Sequence, residues 1–199
     1  NFWKNPNLRI LDPCCGNGNF GVHLYNKLIP HHTKQTVLED ILEFNDINEP
    51  RLDNVRRIFD ADNNRLQITQ HDFLVTSYTK KYELIVANPP YAKILENGKR
   101  ASKNHNLIKD FIKKSLELLT PDGYLLFITP DNWMSYADRN DVIKILTKLQ
   151  IVRLDIHNAK KYFKKIGSSF TWYLIQNRPA GFPITVSGIW KKQEYISDI

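Results

Sequence analysis

The sequence predicts an α/β domain in which a mostly parallel, doubly wound sheet carries helices on both faces. Short apolar runs alternate along the chain with segments whose apolar residues recur at helical spacing. This alternation is typical of parallel strands joined by crossover helices. The chain has 199 residues, of which 42% are hydrophobic, so it can bury one core of this kind.

The same patterns predict the individual elements. Residues 8–11 should form the first strand, and a glycine-bearing turn then leads into a helix over residues 19–28. Further strands are predicted at residues 42–45, 66–69, 83–87, 124–129, 151–156 and 170–175, and further helices at residues 51–59, 106–119 and 142–149. A loop is predicted at residues 92–105, a turn at residues 121–123, and a strand leading away from the core at residues 184–190.

Charge and cysteine content restrict the setting. With 28 Lys and Arg against 21 Asp and Glu, the net charge is +7, which fits either a polyanionic partner or a solvated basic surface. The two cysteines, Cys14 and Cys15, are adjacent, which suits neither an ordinary disulfide nor a metal site and indicates a reducing environment. No apolar run approaches the roughly 20 residues of a membrane helix, and no signal peptide is visible. We therefore expect a soluble, cytoplasmic protein without a membrane partner.

Four polar residues lie just past the carboxyl ends of predicted strands: Asp12, Asp46, Asp72 and Asn88. Ligands of open parallel sheets bind along the carboxyl ends of the strands. The four positions therefore predict a ligand site along one edge of the sheet, and together they carry more weight than any one motif.

The first of these residues opens a glycine-bearing turn. Gly16 and Gly18 allow a sharp bend and a close approach of a ligand to the backbone. The carboxylate of Asp12 can accept hydrogen bonds from an ammonium group. The turn lacks both the GxGxxG spacing of dinucleotide folds and the GK[ST] of nucleoside triphosphatases. By itself it favours an ordinary strand-to-helix connection over a ligand site.

The next two positions have structural alternatives. A carboxylate at Asp46 can bind both hydroxyls of a ribose, but the residue could instead be a helix N-cap. Asp72 and Phe73 offer an acceptor for an adenine amine and a ring for its face, but they could instead be a turn aspartate and a core phenylalanine.

The most specific motif is Asn88-Pro89-Pro90-Tyr91. The prolines stiffen the end of the strand and remove two N–H donors, so its carbonyl groups remain available. The Asn88 side chain and the Pro89 carbonyl are two neighbouring acceptors that can orient a planar amine, and Tyr91 offers a face for stacking. A proline-rich strand terminator would need neither the asparagine nor the tyrosine.

With these sites in order, the chain resembles the adenine-specific DNA methyltransferases of restriction–modification systems, from about residue 9 to residue 176. The resemblance rests on Asp12-Pro13-Cys14-Cys15-Gly16-Asn17-Gly18-Asn19-Phe20, Asp46-Ile47, Asp72-Phe73, Asn88-Pro89-Pro90-Tyr91 and Phe127-Ile128-Thr129-Pro130. It implies a Rossmann-like methyltransferase fold, S-adenosylmethionine as the cofactor and double-stranded DNA as the partner.

The resemblance also implies roles for individual residues. The methionine part of the cofactor would lie among Asp12, Cys14 and Gly16. The ribose would lie at Asp46 and Ile47, and the cofactor adenine at Asp72 and Phe73. The target amine would be held by Asn88, which also borders the cofactor, and by the Pro89 carbonyl, within a catalytic motif completed by Pro90 and Tyr91.

The family places a second aromatic residue on the other face of the target base. Spacing suggests Phe163, followed by Lys164 as a substrate contact, with Phe170 as the second choice and core packing as the alternative for either ring. The reaction implied is direct displacement at the cofactor methyl group, so Cys14 and Cys15 would not be nucleophiles. The target base must leave the DNA stack to reach such a site.

Two basic segments fit a DNA partner, although solvated lysines are an equal alternative. They comprise Lys93, Lys99, Arg100 and Lys103 in one segment and Lys160, Lys161, Lys164 and Lys165 in the other.

Members of the family usually have a cofactor-binding helix upstream and a target-recognition domain downstream. We therefore expect residues 1–178 to be the catalytic domain and residues 179–199 an extension or the start of a recognition region. A restriction endonuclease or a recognition subunit would then lie outside this chain.

Four other functions are alternatives. Asn-Pro-Pro-Tyr also occurs in enzymes that methylate a glutamine amide of release factors, and related forms methylate adenine in RNA. The glutamine enzymes resemble Asp-Leu-Gly-x-Gly-x-Gly where this chain has Asp-Pro-Cys-Cys-Gly-Asn-Gly, which favours DNA. A non-catalytic DNA-binding subunit would not need the paired acceptors, and the glycine spacing disfavours an NAD-dependent oxidoreductase.

Overall fold

The computed structural model describes residues 2–91, 107–134, 142–157, 169–190 and 193–198. The chain divides into two compact units. The first comprises Asn1–Ala87 with Leu118–Thr120, and the second comprises Asn88–Glu117 with Pro121–Ile199.

The first unit contains the parallel sheet that the sequence predicts. Its strands are β1 (Ile10–Asp12), β2 (Leu42–Asn45), β3 (Gln67–Thr69) and β4 (Tyr82–Ala87). Both neighbours of β1, which are β2 and β4, run parallel to it, and β3 runs parallel to β2. The order β3-β2-β1-β4 brings the carboxyl ends of β1, β2 and β3 to one edge.

Helices connect β1 to β2 and β2 to β3. They are α1 (Asn19–Leu28), the short α2 (Lys34–Thr36) with a π-helical turn at Val37–Ile41, and α3 (Glu49–Ile58), and a 3-10 turn at Phe2–Lys4 precedes β1. The predicted bounds of α1 and β2 are confirmed, whereas the helical segment before β2 was not predicted. A cap explains where α3 begins, because Asn48 Oδ1 accepts a hydrogen bond from the Arg51 amide at 3.2 Å.

Helix α1 packs closely on β2 through a glycine. A Cβ atom at Gly21 would lie 2.5 Å from Phe44 Cε1 and 2.9 Å from Phe44 Cζ. The Phe44 ring cannot easily move, since it is 1% exposed and stacks on Phe59 with a centroid distance of 5.4 Å. Glycine at position 21 therefore permits the contact between α1 and β2.

We expect Gly21→Ala to lower the free energy of unfolding by about 1–3 kcal/mol, because the added methyl group overpacks this contact. The clash should outweigh the better helix propensity of alanine, which is worth about 1 kcal/mol. Thermal denaturation of both proteins measures the effect. Gly181→Ala is the control, since a Cβ atom there would meet no atom within 4 Å from the described part of the chain beyond its own neighbours. Equal midpoints for Gly21→Ala and the wild type would contradict the packing described here.

The second unit has a mainly antiparallel sheet. Helix α4 (Ile108–Leu118) leads into β5 (Leu119–Pro130), which a 3-10 turn at Asp131–Met134 follows. The remaining elements are α5 (Val142–Leu146), β6 (Leu149–Ile156), β7 (Phe170–Pro179), β8 (Thr185–Trp190) and β9 (Gln193–Asp198). Strand β7 lies antiparallel between β5 and β6, β8 runs parallel to β6, and β9 runs antiparallel to β8.

The α/β class is thus confirmed, while the expected parallel pairing describes the first unit better than the second. Only residues 191 and 192 separate β8 from β9, a connection too short for a parallel crossover. The predicted turn at residues 121–123 lies within β5, but Asp122 keeps a left-handed φ of 61° and the ladder to β7 begins at Tyr124. None of the described helices has both the length and the apolar content to cross a lipid bilayer.

Candidate functional site

The loop after β1 is shaped by glycines and held by backbone hydrogen bonds. Gly16 and Gly18 have φ values of 55° and 81°, which disfavour residues with a Cβ atom. The Cys15 amide donates to the Asn45 carbonyl at 2.9 Å, and the Gly18 amide donates to the Cys15 carbonyl at 2.9 Å. Apart from its chain neighbours, no described residue has an atom within 4 Å of the position that a Cβ of Gly16 would take. One side of the loop is therefore open at Gly16.

Asp12 is a buried carboxyl group with one unused oxygen. The residue is 2% exposed, and its Oδ1 accepts a long hydrogen bond of 3.4 Å from the Cys14 amide. Its buried Oδ2 has no hydrogen-bond partner among the described residues. Burial raises the pKa of Asp12 from 3.8 to about 8, with a partly opposing effect of the Cys14 amide and a further increase from Asp46. A cation at Oδ2 would satisfy this oxygen and favour the ionised form.

Asp46 joins the loop after β1 to the loop after β2. The residue is 4% exposed, and its Oδ2 accepts a hydrogen bond of 2.9 Å from the Gly16 amide. Its Oδ1 accepts one of 2.9 Å from the Asn48 amide. The cap of α3 is Asn48 rather than Asp46, so the alternative of an N-capping role for Asp46 is wrong. Ile47, beside it, is 68% exposed and offers an apolar surface.

Asp72 and Phe73 have the local contacts of a turn. Asp72 Oδ1 accepts a hydrogen bond of 3.0 Å from the Leu74 amide. The Phe73 ring is 2% exposed and packs edge-on against Tyr78, with a centroid distance of 5.6 Å. Among the apolar side chains proposed for the cofactor, Ile47 is therefore far more accessible than Phe73.

Sequence reasoning missed Asn45, the last residue of β2. It is 1% exposed, and its side chain bonds to the loop after β1 and to the residues after β3. The available signal was a second polar residue, after Glu43, in a short strand of four buried residues. Its partners are 24 to 32 residues away in sequence, so the pattern could not identify them.

In the second unit, Tyr91 contacts both Asn88 and Phe170. The Tyr91 hydroxyl donates to Asn88 Oδ1. The two aromatic rings lie 5.8 Å apart at 50°, and Phe170 is 1% exposed. Rings at this distance touch each other directly and leave no room for a base between them. Phe170 therefore supports the Tyr91 ring in this structure, which argues against it as the ring on the other face of a base. Pro89 is buried, whereas Asn88 and Pro90 are exposed.

The sequence model of the Eco57I restriction-modification methylase family matches residues 21–163. The chain belongs to this family. A curated relative, Type II methyltransferase M.VspI of Vibrio sp. (strain 343), is 30% identical over 163 residues, which cover 74% of this chain and 37% of the relative. The tRNA1(Val) (adenine(37)-N6)-methyltransferase of Glaesserella parasuis serovar 5 (strain SH0165) is 36% identical over 75 residues, 34% of this chain and 31% of that protein. The chain thus spans about a third of the length of either relative.

A solved structure shows the same fold. A class I S-adenosylmethionine-dependent methyltransferase from Listeria monocytogenes matches with a TM-score of 0.68 at 17% identity, over 93% of this chain and 59% of that chain. The fold is that of the class I methyltransferases, as the sequence predicts. Membership of the Eco57I family and this fold imply S-adenosylmethionine as the cofactor.

The residues of this Eco57I family member fit that cofactor. The ammonium group of the cofactor would donate a hydrogen bond to Asp12 Oδ2, which has no partner among the described residues. The methionine part of the cofactor would lie on the open side of Gly16. Neither Cys14 nor Cys15 forms a disulfide among the described residues. Burial is the main cause that raises the pKa of the Cys15 thiol, followed by the charges of Asp12 and Asp46, so this thiol stays protonated and is a poor nucleophile.

Other predicted substrate contacts lie outside the described residues. These are Phe163, Lys164 and the two basic segments, which comprise Lys93, Lys99, Arg100, Lys103, Lys160, Lys161 and Lys165 in addition to Lys164. Their proposed roles stay predictions.

Proposed function

We propose that the chain is the catalytic part of a DNA adenine methyltransferase that transfers a methyl group from S-adenosylmethionine to the exocyclic amine of a flipped adenine. The observation that carries this proposal is the group Asn88-Pro89-Pro90-Tyr91, in which an exposed amide stands beside a stiff, proline-flanked carbonyl and a tyrosine ring. Membership of the Eco57I family supports DNA as the substrate.

The catalytic residues act by orientation. Asn88 Oδ1 and the Pro89 carbonyl each accept one hydrogen of the target amine, which aims the nitrogen lone pair away from both acceptors. Asn88 Oδ1 accepts the Tyr91 hydroxyl in this structure, so an incoming amine either shares that oxygen or replaces the hydroxyl. The Tyr91 ring, supported by Phe170, stacks on the base. Bound S-adenosylmethionine supplies an electrophilic methyl group on sulfur, and no covalent intermediate with the protein is needed.

The first unit supplies the cofactor residues in this proposal. Asp12 binds the ammonium group, Asp46 accepts hydrogen bonds from the ribose hydroxyls through its remaining lone pairs, and Ile47 packs on the adenine face with Asp72 at its amine. The burial of Asp12 and Asp46 supports these roles, because buried carboxylates form strong hydrogen bonds to charged and polar groups.

An RNA adenine is the second candidate substrate, since the similarity to a tRNA adenine methyltransferase covers 34% of this chain. The complete protein should be incubated with labelled cofactor and, in parallel, with DNA, tRNA and a release factor. Digestion of the nucleic acids to nucleosides then identifies the methylated base. We expect N6-methyladenine in DNA. Label in tRNA or in the release factor would select one of the alternatives, and methylcytosine would contradict the assignment of the amine.

We expect Asp46→Ala to weaken the binding of S-adenosylhomocysteine about 10- to 100-fold, because one or two charge-assisted hydrogen bonds to the ribose are lost. Isothermal titration calorimetry measures the dissociation constant. Asp53→Ala on α3 is the matched control, since it removes a carboxylate that is 51% exposed and pairs with Arg56. An unchanged dissociation constant for Asp46→Ala would exclude a role of Asp46 in cofactor binding.

Residues 1–178 are proposed as the catalytic domain of the complete protein. The segment after Arg178 contributes β8 and β9 to the sheet of the second unit. A recognition region, a separate recognition subunit or a nuclease would supply sequence specificity and restriction. Long-read sequencing of DNA from cells that express the complete protein tests this, because a catalytic domain with a recognition partner produces methyladenine in one sequence context.

A further inference from the structure

The Asn45 side chain forms four hydrogen bonds that connect separate parts of the first unit. Its Nδ2 donates to the Pro13 carbonyl at 2.9 Å and to the His71 carbonyl at 3.1 Å. Its Oδ1 accepts from the Thr69 hydroxyl at 3.0 Å and from the His71 amide at 3.1 Å. Two donor hydrogens and two acceptor lone pairs are all that an asparagine side chain has, so its capacity is filled.

These bonds link the loop after β1 to the residues after β3. Pro13 follows Asp12 and precedes the glycine turn, while His71 precedes Asp72. Asn45 itself precedes Asp46 and lies on the middle of the three strands. A single planar group at the end of β2 therefore ties together the three segments to which the proposed function assigns the cofactor.

We propose that Asn45 is a positioning residue, which sets the spacing between residues 13–16 and residues 70–73 so that one cofactor molecule can contact both. The proposal rests on the proposed function for its cofactor but on the observed hydrogen bonds for its mechanism. Asn45 is buried beneath the loops and touches the cofactor through no atom of its own. It acts by fixing the relative positions of the two loops before the ligand binds. Binding then costs less conformational entropy, because the loops are already ordered.

The chemistry of this position favours asparagine over its closest relatives. Aspartate has the same shape and could accept from Thr69 and His71, but it would place an oxygen against the carbonyl groups of Pro13 and His71. Leucine would remove the hydrogen-bond partner of the Pro13 and His71 carbonyl groups and of the His71 amide. Only a side chain with paired donors and paired acceptors in one plane satisfies both loops.

The experiment compares the wild-type complete protein with Asn45→Ala and Asn45→Asp by two measurements. Hydrogen–deuterium exchange without ligand reports whether the Asn45 side chain holds the two loops in place. Calorimetry with S-adenosylhomocysteine reports how this affects the dissociation constant. Exchange at residues 14–16 and 70–73 should become at least about tenfold faster, with α3 unchanged. The dissociation constant should rise about 10- to 100-fold, because the free energy of binding must then also order the two loops.

Matched variants separate positioning from general stability. Glu43 lies on the same strand as Asn45, and its carboxylate pairs at 2.9 Å with the half-exposed Lys80. Glu43→Gln disturbs this ion pair and should lower the melting temperature without changing the dissociation constant. Thr69→Val removes one of the four bonds and keeps both loops tied, so it should change the dissociation constant less than about threefold. Asn45→Ser, which keeps one hydroxyl, should give an intermediate loss and serves if the other variants fail to fold.

The outcomes distinguish the two proposals. If the wild type does not bind S-adenosylhomocysteine, the proposed function fails, and the exchange measurement still tests the tie. If the wild type binds and a folded Asn45 variant binds equally well, the positioning role is refuted. It is also refuted if both loops exchange at the wild-type rate in the variants, or if Glu43→Gln weakens binding as strongly as Asn45→Ala.

Discussion

Replacing Asn88 by alanine is expected to slow methyl transfer about 100- to 1,000-fold while the affinity for S-adenosylhomocysteine changes less than about threefold. The loss follows from the removal of one of two acceptors that orient the amine, and single preorganised hydrogen bonds of this kind are worth factors of that size. Asn88 is exposed, so truncating it leaves no cavity in the core of the second unit. Single-turnover methylation of DNA measures the rate, and calorimetry measures the affinity.

Tyr91→Phe is the matched control for Asn88→Ala. It removes the hydroxyl that donates to Asn88 Oδ1 and keeps the ring that contacts Phe170. If the target amine replaces this hydroxyl as a donor, the rate should change less than about tenfold. Wild-type methylation by Asn88→Ala, or an equal loss of rate in both variants, would refute the assigned role of the Asn88 amide.

Asp12→Asn is expected to have opposite effects on binding and on stability. The affinity for S-adenosylhomocysteine should fall about 100-fold, because a charge-assisted bond to the ammonium group becomes a neutral one. The ligand-free protein should become more stable at pH 7 by on the order of 1–3 kcal/mol, because burial of Asp12 disfavours its ionised form and asparagine carries no charge.

The pH dependence follows from the direction of the pKa shift. In the unfolded chain Asp12 ionises near its ordinary value of 3.8, whereas in the folded protein burial raises its pKa to about 8. Between these values the unfolded state loses the proton first, so the wild type loses stability as the pH rises from about 4 to about 8. The stability difference between Asp12→Asn and the wild type should therefore be larger at pH 7 than at pH 5.

Denaturant titrations at both pH values measure this difference, and Asp53→Asn, at a solvent-exposed carboxylate, is the control.

Binding of S-adenosylhomocysteine at pH 7 should also release close to one proton from the wild type and fewer from Asp12→Asn. Calorimetry in buffers of different ionisation enthalpy counts these protons. A variant that is less stable than the wild type at pH 7, yet binds normally, would overturn the account of Asp12.

The bounds of several helices and strands could be predicted from the residues within them, whereas the pairing of the strands could not. The bounds of α1 and β2 agree with the expected ones, since alternating apolar runs and helical periodicity depend on neighbouring residues. A strand at residues 184–190 was predicted, but its pairing with β6 and β9 and the antiparallel pairing of β7 were not. Strand direction depends on which segments pair, and residues far apart in sequence determine that pairing.

The sequence by itself determined the α/β class, the four polar positions after successive strands and the Asn88-to-Tyr91 motif, because each is a short-range pattern of residue types. The tertiary structure alone decided the rest: that Asp12 is buried with an unused oxygen, that Asn48 rather than Asp46 caps α3, that Phe170 packs on Tyr91, and that Asn45 ties two loops. The physical reason is that burial, pKa and hydrogen-bond partners arise from residues tens of positions apart, which become neighbours only when the sheet is assembled.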